Sequence, residues 1–386
     1  MNFILPEKCS PVMRSIKKAL RANLKNMSSW RTSRKIIVFE SDDWGSIRIP
    51  SFTAYKELLK KGIPLSSSRQ YDKCDTLAGE KDLEMLFEVL TSVKDKDGNP
   101  AVFSPFVNPS NPDFAKIKES NYQNYFHKTF FQTLEEQGEL NKVKSLWMKG
   151  IEQGFFLPAY HGREHLCVPL WMRELQNGNT LVRKAFELDF YAVQDPSLPA
   201  KAGAFRPALF FDQPGQIPFL KNSLIEGYFL MKYMFGRSPK VFCPPNGISH
   251  QVFDQAIKEA GIETIVAKRL RDEPDGKGGT KTRSYAFGKK NKSGQIHYFR
   301  NCGFEPVHGR GVDTCLKDIK VAFRWRKPAI ISTHRVNYIG AIDPANRDKG
   351  LAALKILLKE ILNNWPEVEF LSSEAWAQYL AQKNHR

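Results

Sequence analysis

The chain is poor in cysteine and histidine, and one long stretch has no acid at all. Six cysteines (9, 74, 167, 243, 302 and 315) in 386 residues form no C-x-x-C pair and no regular framework. That excludes a disulfide-stapled scaffold and suits reduced thiols in a cytoplasmic protein. No apolar run reaches transmembrane length. The opening residues, Met-Asn-Phe-Ile-Leu-Pro-Glu-Lys, lack a charged leader followed by a long apolar core, so no secretory signal is expected. No internal repeat is visible. From Lys8 through Phe39 there is no acid, against nine basic residues. The formal charge of +17 (58 basic, 41 acidic side chains) comes largely from this stretch and from residues 268–292. Two basic surfaces on an otherwise balanced body do not make a nucleic-acid coat, and no nucleic-acid partner is expected.

A hydrophobic content of 41% over this length can bury one large core. Length alone allows two domains; the expected division is a basic amphipathic segment, 1–34, and one domain, 35–386. Within the first, Val12, Met13, Ile16, Leu20, Leu24 and Met27 share a helical face, while Arg14, Lys17, Lys18, Arg21 and Lys25 lie mostly elsewhere. Such a helix either makes peripheral contact with an anionic membrane, through residues 12–35, or docks its stripe on the domain behind it.

From residue 35 short apolar runs alternate with helical patterns. Strands are expected at 35–41, 101–107, 155–160, 204–211, 241–244, 264–268, 295–300, 329–333 and 367–371. Helices are expected near 79–94, 113–137, 166–176, 216–235, 249–260, 313–325, 349–363 and 373–382. Repeated βα units argue for an α/β fold with a parallel sheet, and their number favours a closed or nearly closed barrel. Residues 272–294 read as a long surface loop or hairpin.

The run Ile36-Ile37-Val38-Phe39 reads as a buried strand that ends in Glu40, Asp42 and Asp43, then Trp44 and Gly45. Carboxylates crowded past a buried strand repel one another and resist desolvation, and a cation or proton relieves that. The plainer alternative is a solvated loop with a helix-capping Asp. His161 and His165, in Pro158-Ala-Tyr-His-Gly-Arg-Glu-His, are four residues apart after another apolar run. On one turn of helix they would grip a divalent metal; otherwise they are a surface or core pair. The same residues fit the inverted zinc-peptidase pattern H-x-x-E-H with Glu164 as base, but Pro158 and Gly162 disfavour a helix running through His161. Arg206, before a proline, could orient a carboxylate bidentately or form a surface ion pair. His334 follows the strand at 329–333, where barrels mount catalytic groups, although a satisfied structural histidine would look the same.

Taken together, these segments resemble the polysaccharide deacetylase family, also described as NodB-homology or carbohydrate esterase 4-like. Ser41-Asp42-Asp43-Trp44-Gly45 is similar to its Thr/Ser-Phe-Asp-Asp-Gly motif with one inserted Trp. His161 and His165 match its H-x-x-x-H motif. Phe242-Cys-Pro-Pro-Asn-Gly247 resembles its Arg-Pro-Pro-Tyr-Gly motif, and Ile331-Ser-Thr-His334 its Leu-x-His motif. The four motifs stand in the family's order across residues 35–380.

The resemblance implies a distorted (β/α) barrel hydrolase that removes acetyl groups from an N- or O-acetylated sugar or polysaccharide. It implies a divalent ion, zinc first among candidates, on Asp43, His161 and His165. Asp42 would be the base and His334 the acid. Trp44, Arg163 and Asn246 are expected to contact substrate. Two departures stand out: Cys243 replaces the family's Arg, and no Asp-x-x-Asp-Trp motif follows residue 262. Arg206 is the expected replacement for the guanidinium, and Glu305 or Asp313 for the acid behind His334. The departures leave open a catalytically impaired carbohydrate-binding barrel. A C–N amidohydrolase acting on a non-sugar amide also remains. Location is expected to be cytoplasmic, with the membrane-peripheral option above.

Overall fold

The structure, a computed structural model, describes residues 20, 23–27, 30–65, 71–199 and 205–383. Its strands, in chain order, are β1 (Ile36–Trp44), β2 (Phe103–Val107), β3 (Ser110–Pro112), β4 (His127–Thr129), β5 (Ala159–Tyr160), β6 (Val241–Phe242), β7 (Thr264–Val266), β8 (Leu270–Pro274), β9 (Thr280–Ser284), β10 (Ile296–Tyr298), β11 (Cys302–Gly303), β12 (Ala329–His334) and β13 (Glu369–Phe370). Eight form one sheet in the order β10-β7-β6-β5-β2-β1-β12-β11, with β13 added to β1. Every pairing in that sheet is parallel. Two antiparallel pairs, β3–β4 and β8–β9, stand apart from it.

The two edges of the sheet, β10 and β11, are separated in the chain only by Phe299, Arg300 and Asn301. Four residue steps span at most about 14 Å, so a sheet eight strands wide must curl until its edges nearly meet. The result is the expected distorted (β/α) barrel, left open at one seam, with Arg300 in that seam.

Side chains alternate between the two faces of a strand. Along β1, Ile37 and Phe39 join the large apolar cluster shared with the surrounding helices, while Ile36 and Val38 join a smaller one with Phe106, Val241, Tyr298, Ile330 and Trp376. The smaller cluster fills the barrel. Continuing the alternation, Glu40 and Asp42 fall on the inner face, as do Ser332 and His334 after Ile330 on β12. The helices Glu80–Thr91, Leu140–Glu152, Ile217–Phe235, Val312–Arg324 and Pro344–Asn364 supply the outer cluster.

A third apolar cluster draws on Ile49, Tyr55 and Leu58, on residues between Leu166 and Val193, and on Phe205, Phe210 and Ile248. These segments leave the C-terminal ends of β1, β5 and β6, so they cap the rim where parallel barrels place their chemistry.

Several expectations need correction. Residues 205–211 form no strand: Phe205 has φ 53°, Pro207 has no N–H to donate, and Phe205 and Phe210 are buried in the cap instead. A buried apolar run reads as a strand whether or not its backbone pairs. The helix expected over 113–137 is broken into Phe114–Glu119 and Phe130–Glu136, with positive φ at Asn121 and Tyr122 between them. Helices Phe52–Lys60, Leu140–Glu152 and Thr180–Phe186 were not anticipated, nor was β11. The loop at 272–294 does contain a hairpin, β8–β9.

Of the N-terminal stripe, Val12, Met13 and Ile16 lie outside the described residues. Leu20, Leu24 and Met27 are exposed, so these three do not dock on the domain. Their exposure does not by itself argue for a membrane. No described helix is long and apolar enough to cross one. The chain is fastened to the barrel at Trp30, whose ring packs edge-on against Trp376, 5.2 Å between centroids. Among the described residues Cys74, Cys167, Cys243, Cys302 and Cys315 are buried and form no disulfide.

Candidate metal centre and active site

The site begins with an irregularity in β1. Its register with β2 shifts between Ser41 and Trp44, and Asp43 sits there with φ 71°. Non-glycine residues adopt that backbone rarely, Asp and Asn more readily than most. The shift explains the inserted tryptophan. Trp44 turns outward into the core, its indole N–H donating to Ser41 Oγ (2.9 Å) and its ring edge-on to Trp147 and Phe156. It is 1% exposed, so the expected substrate contact at Trp44 is wrong: it is a packing residue. Gly45 follows with φ 81°, and any Cβ there would lie 2.3 Å from the Asn108 carbonyl oxygen.

Asp43 Oδ1 lies 3.5 Å from His161 Nε2 and 3.2 Å from His165 Nε2, all three residues being buried. The histidines do not ride on a helical turn, as the spacing suggested. They occupy a loop between β5 and the helix Val168–Gln176, with Gly162 at φ 90° between them. Asn108 fixes this loop by donating to the carbonyls of His161 (2.8 Å) and Gly162 (3.2 Å). His161 Nδ1 faces the Cys243 carbonyl at 2.7 Å and is therefore the N–H donor. That leaves the Nε2 lone pair turned toward a carboxylate, an arrangement that needs a proton or a cation between them. Burial disfavours a charged His161, yet Asp42 and Asp43 overcome this and hold its pKa up at about 10. His165 goes the other way, with burial outweighing Asp43 and lowering its pKa. Asp43, despite burial, is held well below the usual carboxylate range by the two imidazoles. One carboxylate and two imidazoles whose ligand atoms lie within 4.8 Å of one another fit a divalent ion such as zinc, with coordination positions left over.

Asp42 lies beside this cluster. Its two oxygens receive a bidentate grip from Arg300, at 2.5 and 2.7 Å. The guanidinium on Asp42 is thus Arg300, not Arg206 as expected. Arg300 Nε in turn donates to Glu40 (2.6 Å), and Glu40 also accepts from Tyr298 and Ser373. Burial pushes the Asp42 carboxyl up, but Arg300, His161 and His334 bring it below its ordinary value. The sequence did hold a signal: Arg300 ends an expected barrel strand, where an inward cation needs an inward acid.

His334 Nε2 is 3.9 Å from Asp42 Oδ2, and its Nδ1 is bound to Glu305 at 2.6 Å. Asn337 donates to the other Glu305 oxygen, also at 2.6 Å. Glu305, one of the two acids proposed from sequence, is therefore the one behind His334, and Asp313 is not. Burial lowers the His334 pKa, but Glu305 reverses this and raises it to about 9. Tyr71 packs edge-on to the imidazole, 5.3 Å between centroids, and Arg48 lies over the Tyr71 ring. Arg48 also approaches Asp43 Oδ2 (3.6 Å) and Asp75 (3.7 Å).

Of the other expected substrate contacts, Arg163 has its guanidinium taken by Glu164 and Glu226, each at 2.5 Å, so it serves as a buried ion pair. Asn246 is exposed at the turn after β6, with φ 55°, and its carbonyl accepts from Lys268.

No family model matches the chain, and no curated protein does. Solved structures do. A probable polysaccharide deacetylase from Pseudomonas aeruginosa PAO1 aligns at TM-score 0.43 and 10% identity, over 90% of this chain and 91% of that one. Puue allantoinase aligns at TM-score 0.42 and 12% identity, over 90% and 91% of the two chains. A 4-alpha-glucanotransferase from Thermococcus litoralis aligns at TM-score 0.44 and 10% identity, over 89% of this chain; the chain spans 40% of its length.

Proposed function

We propose that the protein is a metal-dependent hydrolase that removes acetyl groups from an N- or O-acetylated sugar or polysaccharide. The observation that carries this is the convergence, on one barrel rim, of a cation-ready Asp43–His161–His165 set with a separately held carboxylate, Asp42, and a separately held imidazole, His334. A binding protein needs no such division between acid and base, which speaks against the impaired carbohydrate-binding barrel.

Asp43 Oδ1 and the Nε2 atoms of His161 and His165 would hold the ion, zinc being the first candidate for this donor set. When bound, it would acidify a water and polarise the acyl carbonyl. Asp42, kept ionised and fixed by Arg300, accepts the proton of the attacking water. His334, kept protonated through Glu305, donates from Nε2 to the departing amine or alkoxide. Glu305 and Asn337 hold the imidazole in the orientation that presents Nε2. The apolar cap excludes bulk water and strengthens these charge interactions. Asn246, exposed beside the rim, remains a proposed substrate contact.

The test is hydrolysis of acetylated amino sugars and oligosaccharides by metal-loaded protein, with released acetate and freed amine both measured. Acetate release without a freed amine would assign an ester substrate. Turnover of only a non-sugar amide would overturn the carbohydrate reading.

A further inference from the structure

The third motif departs from the family by offering a thiol where an arginine is expected, and that thiol sits among metal-binding groups. Cys243 follows β6 directly. Its N–H donates to the Tyr160 carbonyl (3.0 Å) and its own carbonyl accepts from His161 Nδ1 (2.7 Å), so one backbone and one side-chain hydrogen bond hold Cys243 beside Tyr160 and His161. One potential ligand atom each from Asp42, His161 and Cys243 fall within 4.8 Å of one another, and all three residues are buried. The thiol approaches the Pro244 carbonyl at 3.9 Å and also pairs with the His161 side chain. Because Arg300 already grips Asp42 from the barrel seam, position 243 is relieved of supplying a guanidinium.

We infer that Asp42, His161 and Cys243 form a second cation site, suited to thiophilic divalent ions, that shares His161 with the first and is filled only in its place. The inference rests on the proposed function only in sharing that histidine. A sulfur–nitrogen–oxygen donor set selects soft or borderline ions such as cadmium and zinc over magnesium, calcium or manganese. As the metal–sulfur bond forms, the thiol proton leaves to solvent. Arg300 opposes a cation here, but Glu40 and Asp42 offset its charge, and the thiolate adds a further negative charge. An ion in this position occupies the proposed base and withdraws a ligand from the first site. It is therefore inhibitory, and the soft ion competes with the working one.

The experiment uses the full chain stripped of metal with a chelator, then titrated with cadmium(II) and separately with cobalt(II), following the thiolate-to-metal charge-transfer absorption. Cadmium should produce that band in the unaltered protein at a stoichiometry of one ion, and Cys243→Ser should bind an ion without it. His165→Ala, which disables the first site only, should show the band with both ions; Asp43→Asn is the substitute should that variant not fold. Cadmium saturation without a charge-transfer band, or a band that survives in Cys243→Ser, would overturn the inference. If Cys243→Ser binds no metal while the unaltered protein shows the band, the first site fails and the second stands.

Discussion

Asp42 and His334 are register partners on the adjacent parallel strands β1 and β12, with Asp42 Oδ2 3.9 Å from His334 Nε2. Both side chains fall on the inner face by simple alternation from Val38 and Ile330. Parallel pairing thus places the proposed base and acid next to each other at one end of the barrel. They are kept in opposite charge states by different partners, Arg300 for Asp42 and Glu305 for His334.

His334→Ala should leave metal binding intact and lower turnover by roughly 10²- to 10⁴-fold, the usual range for a positioned general acid. Metal content and single-turnover rates check this together. Loss of the ion in this variant would mean that His334 is a ligand and not an acid.

Glu305→Gln should move the alkaline limb of the pH–rate profile. With the His334 pKa raised to about 9, the protonated acid persists at neutral pH and turnover should fall as pH rises through about 9. The same raised pKa contributes stability that is complete below about 6.5, the ordinary imidazole value, and is lost as pH rises through about 9. Removing the Glu305 charge should bring the limb down toward neutrality. An unmoved limb would assign it to another group.

Arg300→Lys should reduce turnover by roughly 10- to 100-fold, because a single ammonium cannot replace the bidentate grip on Asp42 and the bond to Glu40. Arg300→Met should also cost stability on the order of 3 kcal/mol by leaving two buried carboxylates unpaired. Chemical denaturation and kinetics of both variants separate the two roles. Turnover equal to the unaltered protein in Arg300→Lys would show that Asp42 needs no such support.

Trp44→Ala should behave as a core deletion, losing about 3–5 kcal/mol in denaturant unfolding. A stable variant with a raised KM would instead restore the substrate role expected for Trp44 from sequence.

Much of the site was legible because its residues end strands. Asp42, Asp43, His161 and His334 each follow an apolar run, and parallel strands present those ends on one rim. Arg206 was misplaced because the run before Phe210 is buried without pairing, a state that hydrophobicity alone cannot tell from a strand. Trp44 was misassigned because the register shift in β1 reverses which face it meets, and a one-residue shift leaves no mark in composition. Arg300 was missed because its partners lie some 260 positions away and only barrel closure brings them together.

The most direct test of the account is the metal content of the full chain and of four variants after loading with zinc and dialysis. The unaltered protein, Asp42→Asn and His334→Ala should each retain one tightly bound ion. His161→Ala, which removes a ligand common to both ion positions, should lose it, and His165→Ala should bind zinc far more weakly and only at the Cys243 position, with folding verified by circular dichroism. Retention of the ion by both histidine variants, or its absence from the unaltered protein, would contradict the claim that Asp43, His161 and His165 form a metal centre.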